Sequence, residues 1–223
     1  MAIFKVINSG SAVKTLYLST VSKLPVWKAP YVVNNGSTLT WRVSNGYTAT
    51  LTGNTPIFNL STNTGNANMA ITNANAITSF HVNNLSVHWI MVTDVPALED
   101  LVISTNLISN LVVTNNINLK ILSCFTNLLT ALILTTNTLL EYLDASNNNI
   151  AVLDISNNPL LTSLKCYGNN QATSVTNKIF IDLDTHNKSN GELHIRNNAD
   201  GLGLTARANL ITKGWTIVDS YTT

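Results

Sequence analysis

Charge is scarce in this sequence: 12 Lys and Arg stand against 11 Asp and Glu, a net of +1 over 223 residues. No basic stripe is available to neutralise phosphates, so nucleic acid is not an expected partner. No run of like charge marks a disordered or acidic-binding tail. Long apolar runs are missing too. Every apolar stretch is broken by Asn, Thr or Ser short of the ~18 residues a membrane helix needs, so no membrane insertion is expected. The start, Met1-Ala-Ile-Phe-Lys-Val-Ile, lacks the basic region, apolar stretch and small-residue cleavage site of a secretory signal. Read as a complete chain, it is expected to be made and folded in the cytoplasm. Catalytic signatures are also absent: there is no Gly-x-Ser-x-Gly elbow, no His-Glu-x-x-His and no phosphate loop. His81, His88, His186 and His194 are scattered along the chain. No enzyme, no catalytic residue and no cofactor is expected.

What the sequence has in excess is asparagine, 33 residues of it, and a subset is periodic. Asn106, Asn116, Asn127, Asn137, Asn148, Asn158 and Asn169 are spaced alternately by 10 and 11 residues, so two steps always make 21. Apolar residues keep the same register. Leu98, Leu101 and Ile103 precede Asn106, and Leu119, Leu122 and Cys124 precede Asn127. Leu140, Leu143 and Ala145 precede Asn148, and Leu161, Leu164 and Cys166 precede Asn169. The half-steps between them read Ile108-Leu111-Val113, Leu129-Leu132-Leu134 and Ile150-Leu153-Ile155. A weaker register runs back through Val87-Ile90-Val92, Ile77-Phe80-Val82, Met69-Ile71, Phe58-Leu60 and Ala49-Leu51.

The string Leu140-x-x-Leu143-x-Ala145-x-x-Asn148-x-Ile150 resembles the leucine-rich-repeat pattern, and it recurs from 98, 119 and 161. The variant is similar to the 21-residue repeats of bacterial surface proteins and of some bacteriophages. The resemblance implies a mostly-β solenoid that binds partners. Because both halves of each 21-residue unit carry the motif, two short strands per coil are expected, giving a parallel ladder on each side. Alternate strand residues point inward. Asparagine suits the corners because it tolerates left-handed backbone and its amide can pair with turn groups, and stacked coils permit an asparagine ladder.

Three regions follow from the register: 1–45 as a β-rich N-terminal cap or anchoring arm, 46–170 as the solenoid, and 171–223 as an irregular last repeat with an αβ cap of one helix and one strand. In the first, Phe4-Lys-Val-Ile, Thr15-Leu-Tyr-Leu and Thr38-Leu-Thr-Trp-Arg-Val read as strands, and Leu24 to Pro30 reads as extended. In the last, an insertion is expected near 173–190, a helix over Leu204 to Lys213 stopped by Gly214, and a closing strand over Trp215 to Asp219.

Cys124 and Cys166 fall two coils apart, about 9.6 Å at the ladder spacing, beyond the roughly 7 Å reach of a disulfide. Both are expected as free core residues. Asp182-x-Asp184-x-His186 with Glu192 has the spacing of metal ligands, but the glycine of a calcium loop is replaced by Asn187. A strand with outward polar residues accounts for the spacing, and no metal is expected.

The outward strand positions hold the candidate binding residues. One side carries Met91, Val112 and Ile133 at 21-residue spacing with Trp89 beside them, an apolar stripe of the kind that marks interfaces. The stripe reads as a subunit interface, as a ligand surface, or as a surface the N-terminal arm covers. The other side is polar, with Phe125, Tyr142 and Tyr167 as its aromatics. The reading is a non-catalytic, protein-binding repeat protein, foremost a bacteriophage vertex spike or fibre assembled in the host cytoplasm for host attachment. Its partners would be further copies of itself, capsid or tail proteins, and a host surface receptor. The alternative is a bacterial scaffold in the cytoplasm or an adhesion protein at the cell surface.

Overall fold

The computed structural model describes seven strands in the N-terminal third, Ala74, and then residues 77–196 and 198–219. The strands are β1 (Thr15–Thr20), β2 (Trp27–Lys28), β3 (Tyr31–Asn34), β4 (Thr38–Val43), β5 (Thr48–Thr52), β6 (Ile57–Phe58) and β7 (Ala67–Thr72). The expected strand at Phe4-Lys-Val-Ile lies outside the described residues. From Ile77 to Lys165 the chain winds as a solenoid of 21-residue coils.

Its spine is one parallel ladder. β8 (Ile77–His81) is followed on the other side of the coil by β9 (Val87–Met91), and then β10 (Asp100–Val102), β11 (Ile121–Ser123), β12 (Tyr142–Asp144) and β13 (Ser163–Lys165) stack on β8 in chain order. Leu101, Leu122, Leu143 and Leu164 face one another in register and are buried. Each such burial contributes about 1.5–3 kcal/mol. The column lies inside because the strands alternate, and it continues into Cys124, Ala145 and Cys166 two residues on.

The expected second ladder is not there. Leu111, Val113, Leu132, Leu134, Leu153 and Ile155 are buried as the register required, yet 111–113, 132–134 and 153–155 are not strands. Two successive turns occupy each half-coil: Asn116 N donates to Val113 O and Leu119 N to Asn116 O, a pattern repeated at Asn137 and Asn158. The Val113 carbonyl also accepts Asn137 Nδ2 at 3.0 Å, and Leu134 O accepts Asn158 Nδ2 at 3.1 Å. The coil-to-coil bond at these carbonyls therefore runs through a side chain, which leaves no backbone ladder. On this turn side β9 edges a five-stranded sheet in the order β5-β4-β7-β1-β9, where its partner is the antiparallel β1.

One expectation about asparagine changes as well. The left-handed residue is the one before each ladder-side asparagine: Thr105, Thr126, Asn147 and Gly168, with φ of 55°, 52°, 51° and 69°. The threonines there are uncommon, since a Cβ disfavours that region. The amides bind turn backbone, as expected, and each also reaches a carbonyl of the coil before. Asn127 Nδ2 donates to Ile103 O of the coil before and Cys124 O of its own coil, while its Oδ1 accepts from Ile108 N.

Of the weak early register, Ile77 to Phe80 joins the parallel ladder through β8, whereas the described strands before it do not form parallel coils. β5 and β7 are antiparallel partners of β4, β7 pairs with β1, and β3 lies antiparallel on β8. Alternating apolar residues serve either sheet equally. At the other end the expected insertion is a helix, α1 (Thr173–Thr185), followed by β14 (Glu192–Ile195), α2 (Gly201–Thr212) and β15 (Thr216–Asp219). β14 is the strand of the irregular last repeat, α2 and β15 are the helix and strand of the cap, and α1 is the helix the sequence reading did not include. β14 and β15 extend the ladder. α2 lies close on α1 at Gly203, where an added Cβ would sit 3.0 Å from Asn177 Cα.

Candidate functional site

The coil offers two outward surfaces. On the turn side Trp89, Val112 and Ile133 are 41%, 43% and 60% exposed, and Met91 is half-buried. β1 pairs along the edge of β9, Tyr17 opposite Met91 and Ser19 opposite Trp89, and leaves Val112 and Ile133 open. Val152, 67% exposed, extends the stripe by another coil, and with Ala131 and Asp154 it lines a shallow depression beside Ile133. Its place 63 residues after Trp89, three coils, was the signal that could have found it.

On the ladder side the outward positions form two columns flanking the buried leucines. One holds Ser79, Asp100, Ile121, Tyr142 and Ser163, and the other His81, Val102, Ser123, Asp144 and Lys165. Phe125, Ser146 and Tyr167 follow the strands, kept in step by Thr126 N donating to Ser146 O and Asn147 N to Tyr167 O. Phe125, Tyr142 and Tyr167 are half-buried, whereas Ser123, Ser146 and Asp144 beside them are buried. Asp144, at an outward strand position, is only 7% exposed. Ser146 N and Oγ donate to its Oδ1 at 3.1 and 2.6 Å. Burial pushes the Tyr142 hydroxyl up, and Asp144, Glu192 and Tyr167 add to that shift.

Ser79, His81 and Asp100 meet at the start of the ladder without forming a nucleophilic triad. His81 Nε2 lies 2.6 Å from Asp100 Oδ2 and 3.0 Å from Ser79 Oγ, so one ring nitrogen faces both groups. Base catalysis needs the acid on one nitrogen and the hydroxyl on the other. Asp182, Asp184, His186 and Glu192 are not brought together. The first two sit on helix α1, not a strand. Asp182 takes Lys178 Nζ at 2.7 Å, Asp184 takes Lys213 Nζ at 2.6 Å, and Glu192 pairs with His194 at 2.7 Å. No helix among the described residues is long and apolar enough to cross a membrane.

Cys124 and Cys166 are free and buried. Burial pushes both thiols up, helped by the Asp144 charge, Cys166 to about 12. Since the thiolate is the reactive form, a disulfide-exchange reagent at mildly alkaline pH is expected to leave both untouched in the native protein and to titrate both in denaturant. Rapid native labelling would place a thiol at the surface.

No protein-family model matches the chain. No curated protein sequence matches it either. Among solved structures the chain is similar to the functional domain of InlJ from Listeria monocytogenes, which includes a cysteine ladder, at 29% identity and a TM-score of 0.49 over 63% of this chain and 31% of that one. It is also similar to an internalin, InlF, from Listeria monocytogenes, at 21% identity and a TM-score of 0.49 over 59% of this chain and 37% of that one. The chain therefore spans well under half the length of either neighbour.

Proposed function

We propose that this repeat protein binds a protein partner without catalysis, and that the partner docks on the ladder face around Phe125, Tyr142 and Tyr167. The observation that carries this is the clustering of three half-buried aromatics on a rigid hydrogen-bonded face, where a partner loses little entropy on ordering. The setting we propose is a bacterial one, a scaffold or surface adhesion protein, ahead of a bacteriophage vertex spike or fibre. A spike needs symmetric self-association, whereas the ladder face needs only one partner. The test is a photo-reactive residue at Tyr142 or Phe125, with exposed Asn149 as control. The expected result is a partner crosslinked from a test position and not from the control. Its affinity in purified form should fall about tenfold or more when Tyr142 and Tyr167 become Ala. Labelling no different from that at Asn149 removes the reading.

The turn-side stripe favours a second reading, self-association, because Val112, Ile133 and Val152 are contiguous and open. If copies meet there, sedimentation equilibrium will find an oligomer that Ile133→Asp returns to monomer, since a buried unpaired carboxylate is costly. A wild-type protein that is monomeric at every concentration sinks this reading, and with it the spike.

A further inference from the structure

Asp144 is unusual for its position. It is the outward residue of β12, between Ser123 and Lys165 in register, yet it is nearly buried. Its Oδ1 is held by Ser146, and its Oδ2 takes no hydrogen bond or ion pair among the described residues. Lys165, one coil on, makes no ion pair there either. Oδ2 is thus the oxygen of this carboxylate left to accept a hydrogen bond from a group outside the described residues.

The surroundings of the carboxylate have a definite shape. Ser123 and Ser146 are short and buried and make a floor. Tyr142 stands two residues back on the same strand, and Phe125 and Tyr167 stand one coil before and one coil after Ser146. At the ladder spacing these last two are about 9.6 Å apart at the backbone, with only a serine between them. The Asp144 charge reaches Tyr142, Cys124 and Cys166. The recess thus combines a negative centre with aromatic walls, which is the chemistry that takes up a planar cation by stacking and a charged hydrogen bond.

We propose that this recess is a socket for one arginine side chain of a partner protein, the guanidinium donating to Asp144 Oδ2 between the rings of Phe125, Tyr142 and Tyr167. The proposal rests on the reading of the ladder face as the docking surface, and it adds what the partner must present there. The planar guanidinium fits the walls better than a compact ammonium does.

The test uses the whole chain with ring-labelled tyrosine and N-acetyl-arginine amide as the probe. N-acetyl-citrulline amide is the neutral control of the same shape. Arginine is expected to shift the Tyr142 and Tyr167 ring signals saturably, and citrulline is not. Asp144→Asn keeps an acceptor for Ser146 and should weaken arginine binding about tenfold, while Phe125→Ala should weaken it about threefold. Lys165→Met removes the adjacent positive charge and should tighten binding about twofold. Equal response to arginine and citrulline, no effect of Asp144→Asn, or weaker binding in Lys165→Met each overturns the proposal. If arginine fails while a partner is still crosslinked from Tyr142, the socket is rejected and the docking face stands. If both fail, the face is rejected too.

Discussion

Replacing Asn148 with Leu is expected to lower the unfolding free energy by roughly 3–5 kcal/mol, whereas the same change at Asn137 should lower it by about 1 kcal/mol or less. The two asparagines look alike in the sequence, and both are buried. Asn148 Nδ2 donates to Cys124 O, Ala145 O and Ser146 O, and its Oδ1 accepts from Leu129 N at 3.0 Å. The three carbonyls keep other donors, Asn127 Nδ2, Asn169 Nδ2 and Thr126 N respectively. The Leu129 N–H has no other acceptor and would be left buried and unpaired, the most costly part of the loss. Asn137 differs on both counts. Its Nδ2 reaches Val113 O and Asn116 O, each of which still accepts a turn N–H, and its own Oδ1 is buried without a partner. Leucine removes that orphaned oxygen, which offsets the two bonds lost. Urea titrations of both variants decide the matter, and equal losses would show that the two series are equivalent after all.

Trp215→Ala should cost about 3–5 kcal/mol, the range for deleting a buried aromatic, and the loss should be local. The indole is buried over Gly191, where a Cβ would lie 2.5 Å from the ring. Its Nε1 donates to Lys188 O at 2.9 Å. Trp215 therefore ties β15 to the loop that leads into β14. Coils of a solenoid touch only their neighbours, so damage at one end need not spread. Amide exchange is expected to speed up in β14, α2 and β15 well before β11 and β12. Uniform acceleration along the whole ladder would refute the local picture and make the chain a single cooperative unit.

The ladder was legible because Leu101, Leu122, Leu143 and Leu164 must all be inside, and 21-residue spacing can satisfy that only by stacking. The turn side was misread from an equally correct burial pattern. Periodicity reports which side chains are inside, and Leu111 and Val113 are; it does not report whether the carbonyls between them bond a neighbouring strand or an asparagine amide. α1 was missed because Thr173, Ser174, Val175, Thr176 and Asn177 are poor helix formers. Yet Thr176, Ile179, Phe180 and Leu183 are buried at three- and four-residue spacing, which was there to be found. The aromatics of the ladder face were legible as outward residues. The burial of Asp144 was not, because its place in the strand alternation marks it as outward and does not report its 7% exposure.

The asparagine bonds also give the array something like a reading frame. Those between coils span 19, 21 or 24 residues in both buried series. Excising one whole unit, such as 120–140, would bring equivalent donors to equivalent acceptors and leave the remaining coils in phase. Excising half a unit would set turn-side asparagines, which have one orphaned oxygen, against strand corners that require both amide atoms. Duplication and deletion during inheritance can therefore lengthen or shorten this molecule in steps of 21 residues, and smaller steps within the array would break the bonding on both sides at once.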